Sequence, residues 1–141
     1  MTSSLFEAVG GLPTLRRVHK IFYDKVYAHP VLQQFFQGHS QEVIENRQTQ
    51  FMGEKMGGRV FYPGKDIKMA HRAMYITAQH FNIRHQLLRE SLQEAAVPEQ
   101  LLERWLKLDN AFRPIIVKDS VAAFYRTTWK YEKRIFVQPA K

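Results

Sequence analysis

Apolar residues recur at the spacing of a helix along most of this chain. From Thr14 onward one helical face would carry Leu15, Val18, Phe22 and Val26, which predicts a helix that ends near His29 and Pro30. Ser40 and the double glycine Gly57-Gly58 bound a second predicted helix, from Gln41 to Met56. No segment alternates convincingly between apolar and polar residues, and no Asn-Gly or Asp-Gly pair signals a hairpin.

The second half of the chain carries the same helical period, interrupted by prolines. We expect helices from Asp66 to about Gln79, from about Asn82 to Ala96, after Pro98, and from about Ile115 to Phe136. About six helices with short connections predict an all-α architecture whose neighbouring helices are mostly antiparallel. A length of 141 residues fits a single domain that spans residues 1–141.

The composition is that of a globular protein, with 45% hydrophobic and 24% charged residues. Because the chain has no Cys, it has no disulfides, no thiol catalysis and no Cys-ligated metal, and any metal would be bound by His or carboxylate side chains. We find neither a secretory signal nor an apolar run of about 18 residues, and therefore expect a cytoplasmic protein with no membrane partner.

The formal charge of +8 raises the alternative of nucleic-acid binding, because clustered Lys and Arg side chains bind phosphates. The positive residues are spread thinly except at Lys130–Arg134, so we interpret them mainly as a solvated surface. In the last predicted helix, basic residues alternate with the aromatic residues Tyr125, Trp129 and Tyr131. A basic all-α interaction or nucleic-acid-binding module without a cofactor is therefore the alternative function.

Three polar residues interrupt or flank the apolar faces of the predicted helices. His71 and Gln48 each lie inside an apolar stripe, and Tyr23 lies beside one, next to Phe22. A buried imidazole needs hydrogen-bond partners or a metal, and an unpaired buried amide costs roughly 1–3 kcal/mol. The stripe residues are Ile67, Ala70 and Met74 around His71, and Ile44, Phe51 and Met52 around Gln48.

Taken together, these residues describe an apolar cavity with an imidazole on one wall and a hydroxyl and an amide on another. Such a cavity suits a flat apolar cofactor with one axial metal position, and haem b with its iron is the candidate. The haem propionates would need cations at the rim, and Arg47, Lys55 and Lys65 are available. The alternative is a hydrogen-bonded core histidine and an unrelated Tyr–Gln pair. The expected aromatic lining is Phe22, Phe35, Phe36, Phe51 and Phe81.

An ordered set of short motifs resembles the truncated haemoglobins, the shortened two-over-two globins, and most closely their group I. The resemblance covers roughly residues 5–117. Its motifs are Gly10-Gly11 after a short first helix, Phe22-Tyr23, Phe35-Phe36, Gly57-Gly58, the loop Tyr62-Pro63-Gly64, Met69-Ala70-His71 and His80-Phe81.

The resemblance implies a two-over-two helical sandwich around haem, with residues from about 118 to 141 as an extension of the last helix. It makes His71 the proximal iron ligand, Tyr23 the distal tyrosine and Gln48 the distal amide that assists it. Ile44 falls where other globins place a distal histidine. The remaining cofactor contacts that we expect are Phe22, Phe36, Ile44, Arg47, Phe51, Tyr62, Lys65 and Phe81.

The function that the resemblance implies is reversible binding of O2, NO or CO, serving oxygen handling or transport, NO detoxification or ligand sensing. NO dioxygenase or peroxidase-like activity would need an external reductase, because the chain has no GxGxxG or GxxxxGK[ST] nucleotide-binding motif. We also expect the last helix to pack on its own domain or to form a homodimer. His19, His29 and His39 are predicted to be solvated.

Overall fold

Helices make up almost all the regular structure in the part of the chain that the computed structural model describes, residues 4–64, 70–118, 120–127 and 135–136. Within these ranges no helix is both long and apolar enough to cross a membrane. The helices are α1 (Leu5–Val9), α2 (Gly11–Ala28), a short 3-10 helix (Leu32–Phe36), α3 (Gln41–Lys55), α4 (Ala78–Glu94), α5 (Glu99–Asn110), α6 (Arg113–Ile116) and α7 (Val121–Thr127).

The long helix α2 is the centre of the core. Its predicted apolar stripe, Leu15, Val18, Phe22 and Val26, is fully buried, which confirms the helical period found in the sequence. Helix α2 packs against α3 and α4 and also contacts α1 and the 3-10 helix, while α4 packs against α5. Trp105 of α5 is one of the largest buried side chains of the core.

Both double glycines lie where helices end and chain segments approach closely. Gly10 has a left-handed φ of +108°, and a Cβ there would collide with the Thr14 hydroxyl. A Cβ on Gly58 would lie 2.7 Å from the ring of Phe6. The small residue therefore lets α1 pack against the end of α3, where the Phe6 N–H donates to the Met56 carbonyl at 3.1 Å.

The helix expected from Asp66 to about Gln79 differs from the structure. Between residues 70 and 77 only 70 and 71 are helical, and residues 66–69 lie outside the described ranges. Helix α4 begins at Ala78, because the Thr77 hydroxyl accepts a hydrogen bond from the His80 N–H and His80 Nδ1 accepts one from the Thr77 N–H. This capping box starts a new helix at Ala78, inside the range that the apolar period assigned to the helix from Asp66 to about Gln79.

The single long helix expected from Ile115 to Phe136 is also wrong. Helix α6 ends at Ile116, Val117 has an extended backbone, and the next helix of the described residues is α7, Val121–Thr127. Ile135 forms a parallel bridge with Met74: its N–H donates to the Ala73 carbonyl at 2.7 Å, and its carbonyl accepts from the Tyr75 N–H at 2.9 Å. These non-local hydrogen bonds override the helical period, and they bring this end of the chain back onto its own domain. The basic segment at residues 130–134 lies outside the described residues.

Candidate functional site

A cavity of about 460 Å³ lies between α2, the 3-10 helix, α3 and the segment that leads into α4. Aromatic rings form much of its wall, and the predicted lining Phe22, Phe35, Phe36, Phe51 and Phe81 is all present. Every predicted site residue within the described ranges lines this cavity, whereas Lys65 lies outside those ranges. The lining residues predicted from sequence are thus Phe22, Tyr23, Phe36, Ile44, Arg47, Gln48, Phe51, Tyr62, His71 and Phe81.

Tyr23 of α2 and Gln48 of α3 supply polar groups to the cavity. Tyr23 is only 5% exposed, and its ring packs edge-on against Phe22 at 4.8 Å and Phe36 at 5.9 Å between centroids. Burial raises the pKa of the Tyr23 hydroxyl above its ordinary value, so the group stays protonated and can donate. Among the described residues, the Tyr23 hydroxyl and the Gln48 amide make no hydrogen bond, and both side chains line the cavity.

His71 lines the cavity on the segment that precedes α4, and Lys118 holds the backbone of that segment. The Lys118 ammonium donates to the His71 carbonyl at 2.7 Å, and the Lys118 N–H donates to the Ile76 carbonyl at 2.8 Å. Burial lowers the pKa of Lys118 to about 8. Sequence reasoning missed Lys118, since nothing in its neighbourhood along the chain reveals a partner 47 residues away.

Two other histidines also line the cavity, His39 and His80. A backbone N–H can only donate, so the 3.2 Å bond from Thr77 to His80 Nδ1 makes that nitrogen the acceptor. The ring proton of neutral His80 is therefore on Nε2, and burial lowers the pKa of His80, which favours the neutral form. His39 is exposed, as predicted from the sequence.

An ion pair that the sequence analysis did not single out also lines the cavity. Arg84 Nη1 of α4 donates to both carboxylate oxygens of Asp109 on α5, at 2.9 and 2.8 Å, and His85 Nδ1 lies 3.0 Å from Oδ2. Burial alone would raise the pKa of Asp109, but the Arg84 charge and the hydrogen bonds from His85 and Arg84 outweigh it and lower that pKa to about 2. A signal existed, because Asp109 continues the buried face of Leu102, Trp105 and Leu106.

His19 is buried, which contradicts the prediction of a solvated side chain. It is 1% exposed, shares a 2.7 Å hydrogen bond with the Thr49 hydroxyl and packs edge-on against Trp105 at 5.9 Å. The prediction failed because α3 and Trp105 cover a second face of α2, beyond its apolar stripe. Burial lowers the pKa of His19 to about 3, so the imidazole is neutral. His29 is half-buried, and its Nδ1 accepts from the Val31 and Leu32 N–H groups.

A helical domain around an aromatic cavity, with an imidazole on one wall and buried donors elsewhere in the lining, is the architecture of a haem-binding globin. Residues 4–118 match the family model described as bacterial-like globin. The chain therefore belongs to the bacterial-like globin family. The resemblance to group I truncated haemoglobins inferred from the motifs is confirmed by the relatives below.

Truncated haemoglobins are among the relatives and solved structures that match. The group 1 truncated hemoglobin GlbN of Mycolicibacterium paratuberculosis is 30% identical over 104 residues, which cover 74% of this chain and 76% of that protein. A group 1 truncated hemoglobin of Tetrahymena thermophila is 28% identical over 99 residues, or 70% of this chain and 82% of the relative. The crystal structure of truncated hemoglobin from Tetrahymena pyriformis in its Fe(III) form has a TM-score of 0.77 at 25% identity, over 83% of this chain and 100% of that one.

These matches establish the all-α, two-over-two globin fold, with the corrected C-terminal segment described above. Family and fold accord with haem-based binding of a small diatomic ligand, and the cofactor that they imply is haem with its iron. They give no support to the cofactor-free nucleic-acid-binding alternative. The residues present fit that cofactor, because the cavity is lined by phenyl rings and offers a hydroxyl and an amide that make no hydrogen bond among the described contacts.

Proposed function

We propose that this protein binds haem b in the aromatic cavity, with His71 as the ligand of the iron, and reversibly holds O2 or another diatomic molecule beside Tyr23 and Gln48. One observation carries the proposal. A buried hydroxyl donor, Tyr23, lines an apolar cavity and has no hydrogen-bond acceptor among the described contacts. Because this hydroxyl makes no hydrogen bond to a described residue, it can donate to a polar ligand that enters the cavity, and such a bond contributes about 0.5–1.5 kcal/mol, or more when the acceptor is charged.

His71 is the best candidate for the iron ligand among the cavity histidines. His80 Nδ1 already accepts the capping hydrogen bond from the Thr77 N–H, and His80 Nε2 carries the ring proton. His80 could therefore bind iron only if it lost this hydrogen bond or changed tautomer. His39 is exposed, whereas a proximal ligand has to face the buried interior of the cavity. The bond from Lys118 to the His71 carbonyl fixes the backbone that carries this imidazole.

The haem iron, when bound, supplies the coordination position for the diatomic ligand. The chain supplies the environment of that ligand. The protonated Tyr23 hydroxyl and the Gln48 amide can both donate, which favours a ligand that carries partial negative charge, while Ile44 offers only apolar contact. Oxygen acquires more negative charge than CO, so these donors discriminate in favour of O2.

The other predicted cofactor contacts keep their proposed roles. The rings of Phe22, Phe36, Phe51 and Phe81 would face the macrocycle, and Tyr62 packs against Phe51 with ring centroids 5.3 Å apart. Arg47 is an exposed cation in the lining and is suited to a haem propionate. Lys65, the other predicted propionate partner among the site residues, is not among the described residues.

The test is haem binding by the purified protein and by two histidine variants. The wild type should be red and show a Soret band after reconstitution with haemin. His71→Ala should lose stable haem, or retain it only with added imidazole, whereas His39→Ala, a control at another histidine of the same cavity, should keep it. An unchanged ferrous spectrum in His71→Ala would refute this ligand, and a colourless wild type would refute the haem proposal.

We further propose that a separate reductase supports any turnover, such as NO dioxygenation, and that the protein acts in the cytoplasm. The absence of GxGxxG and GxxxxGK[ST] motifs from these 141 residues supports an electron supply from a separate reductase. A homodimer would use the apolar side chains exposed near the C-terminus, among them Tyr125 and Phe136. NO consumption with and without an added reductase tests the first proposal, and the solution mass tests the last.

A further inference from the structure

The Arg84–Asp109 pair faces the cavity but has no part in the function proposed above. Arg84 is half-buried and lines the cavity together with Asp109, which is 4% exposed. A buried ion pair is seldom more stabilising than well-packed apolar residues of the same size. Its occurrence in an otherwise aromatic wall therefore calls for an explanation other than stability.

The two residues of the ion pair differ in how many of their polar groups are hydrogen-bonded. Both oxygens of Asp109 accept from Arg84 Nη1, and Oδ2 is also 3.0 Å from His85 Nδ1. Guanidinium has five N–H donors, yet within the described part of the chain only Nη1 of Arg84 is engaged. The carboxylate is thus satisfied, while Nε and Nη2 of Arg84 can still donate to a ligand.

The guanidinium lies at the same end of the cavity as Tyr23. The Arg84 Cζ atom is 5.3 Å from the ring centroid of Phe22, and the rings of Phe22 and Tyr23 are 4.8 Å apart. Arg84 also lies within electrostatic range of the Tyr23 hydroxyl, whose pKa its charge lowers against the larger effect of burial. A cation and a neutral donor therefore share one region of the cavity.

We propose that Arg84 is a specificity-determining residue that makes the Tyr23 side of the cavity a binding site for a small monovalent anion. The anion accepts hydrogen bonds from the Arg84 guanidinium and the Tyr23 hydroxyl. Asp109 holds Arg84 in place through Nη1 and leaves the Nε and Nη2 donors for the ligand. This inference rests on the proposed haem site, and it adds a ligand class that the neutral donors Tyr23 and Gln48 do not by themselves select.

The experiment titrates ferric, haem-loaded protein with azide, and with imidazole as the neutral comparison ligand; CO binding to the ferrous protein is the second comparison. The test variant is Arg84→Met/Asp109→Leu, which removes both charges and leaves no buried ion unpaired. The azide dissociation constant should rise by roughly ten- to hundredfold, because a charge-assisted hydrogen bond is lost. The imidazole and CO affinities should stay within about twofold.

The control variant Asp109→Asn keeps the cation and removes the carboxylate that partly neutralises it. Its azide affinity should equal or exceed that of the wild type. An azide affinity in Arg84→Met/Asp109→Leu within twofold of the wild type would overturn the proposal, and so would equal losses for azide, imidazole and CO, which indicate general damage to the cavity. A wild type that takes up no haem would instead refute the proposed function, and this inference would fall with it.

Discussion

Lys118 donates a 2.7 Å hydrogen bond from its ammonium group to the backbone carbonyl of His71, 47 residues earlier in the chain. The backbone N–H of the same lysine donates to the Ile76 carbonyl at 2.8 Å. Lys118, which follows α6, thus supports both ends of the segment between the proposed iron ligand and α4. The position of His71 depends on the C-terminal part of the domain as well as on its own segment.

Replacing this lysine should weaken haem retention more than it weakens the fold. In Lys118→Met the carbonyl of His71 loses a donor, but the partly buried ammonium no longer has to be desolvated, so the two effects on stability oppose each other. We expect the free energy of unfolding to change by about 1 kcal/mol or less and haem to dissociate several-fold faster. Haem transfer to an excess of an apoglobin acceptor measures the second effect.

Lys107→Met is the matched control, because Lys107 is an exposed lysine on α5. It should leave both quantities unchanged. Equal haem dissociation rates for Lys118→Met and the wild type would show that Lys118 does not position His71.

The cavity was accessible to sequence reasoning because its polar residues interrupt local helical patterns. His71, Gln48 and Tyr23 each stand in or beside an apolar stripe, and a stripe is a property of neighbours three and four positions apart. Tyr23 and Gln48 lie on helices that the structure contains, α2 and α3, whereas His71 reaches the cavity from a segment that is mostly not the predicted helix in its described part.

The remaining features depend on partners that are distant in sequence. His19 is buried only because α3 and Trp105 cover a second face of α2, and Arg84 meets Asp109 from another helix. The last predicted helix is interrupted after Ile116, and Ile135 pairs with residues 73–75, a contact that no local pattern encodes. Sequence periods predict which face of a helix is apolar, whereas tertiary packing decides how many faces are covered.

The buried His19 should make the protein less stable in mild acid. Its folded pKa of about 3 lies below the ordinary 6.5, so the unfolded chain binds a proton between these values that the folded protein does not. Stability is therefore full above pH 6.5 and falls as the pH decreases toward 3. At pH 5 the loss from this residue should be about 2 kcal/mol relative to pH 7.

Urea unfolding at pH 7 and pH 5 measures this dependence in the wild type and in His19→Gln, which keeps a polar partner for Thr49. The difference between the two pH values should shrink in His19→Gln. His39→Gln, at an exposed histidine, should keep the wild-type difference. His80, whose pKa burial also lowers, contributes in the same direction and should account for part of the residual slope. A slope in His19→Gln as steep as in the wild type would contradict the assignment.

Gly58 should tolerate no side chain unless Phe6 is reduced in size. An added Cβ would lie 2.7 to 2.8 Å from the Phe6 ring, so Gly58→Ala should cost about 1–3 kcal/mol through overpacking. In the Phe6→Leu background the same Gly58→Ala change should cost less free energy of unfolding than it does in the wild type. Thermal unfolding of the four proteins gives the coupling energy, and strictly additive effects would show that the two residues do not meet.

The buried hydroxyl of Tyr23 leads to the most direct test of ligand discrimination. Tyr23→Phe keeps the ring that packs on Phe22 and Phe36 and removes only the donor. A hydrogen bond to an acceptor with negative charge contributes about 1.5–3 kcal/mol, which corresponds to roughly a tenfold to hundredfold change in rate. We expect O2 dissociation to accelerate by about this factor and CO dissociation to change little, because CO carries less charge.

Gln48→Leu should act in the same direction and more weakly, because Gln48 is less buried than Tyr23 and its neutral amide has more freedom to bind water. Tyr27→Phe is the matched control: Tyr27 lies on the same helix, and its hydroxyl donates to the His39 carbonyl at 3.1 Å. That variant removes a tyrosine hydroxyl engaged elsewhere and should leave O2 dissociation unchanged. Stopped-flow displacement of O2 by CO measures all three. If Tyr23→Phe releases O2 within a factor of two of the wild type, the tyrosine does not donate to the ligand, and Gln48 is the remaining donor of the proposed site.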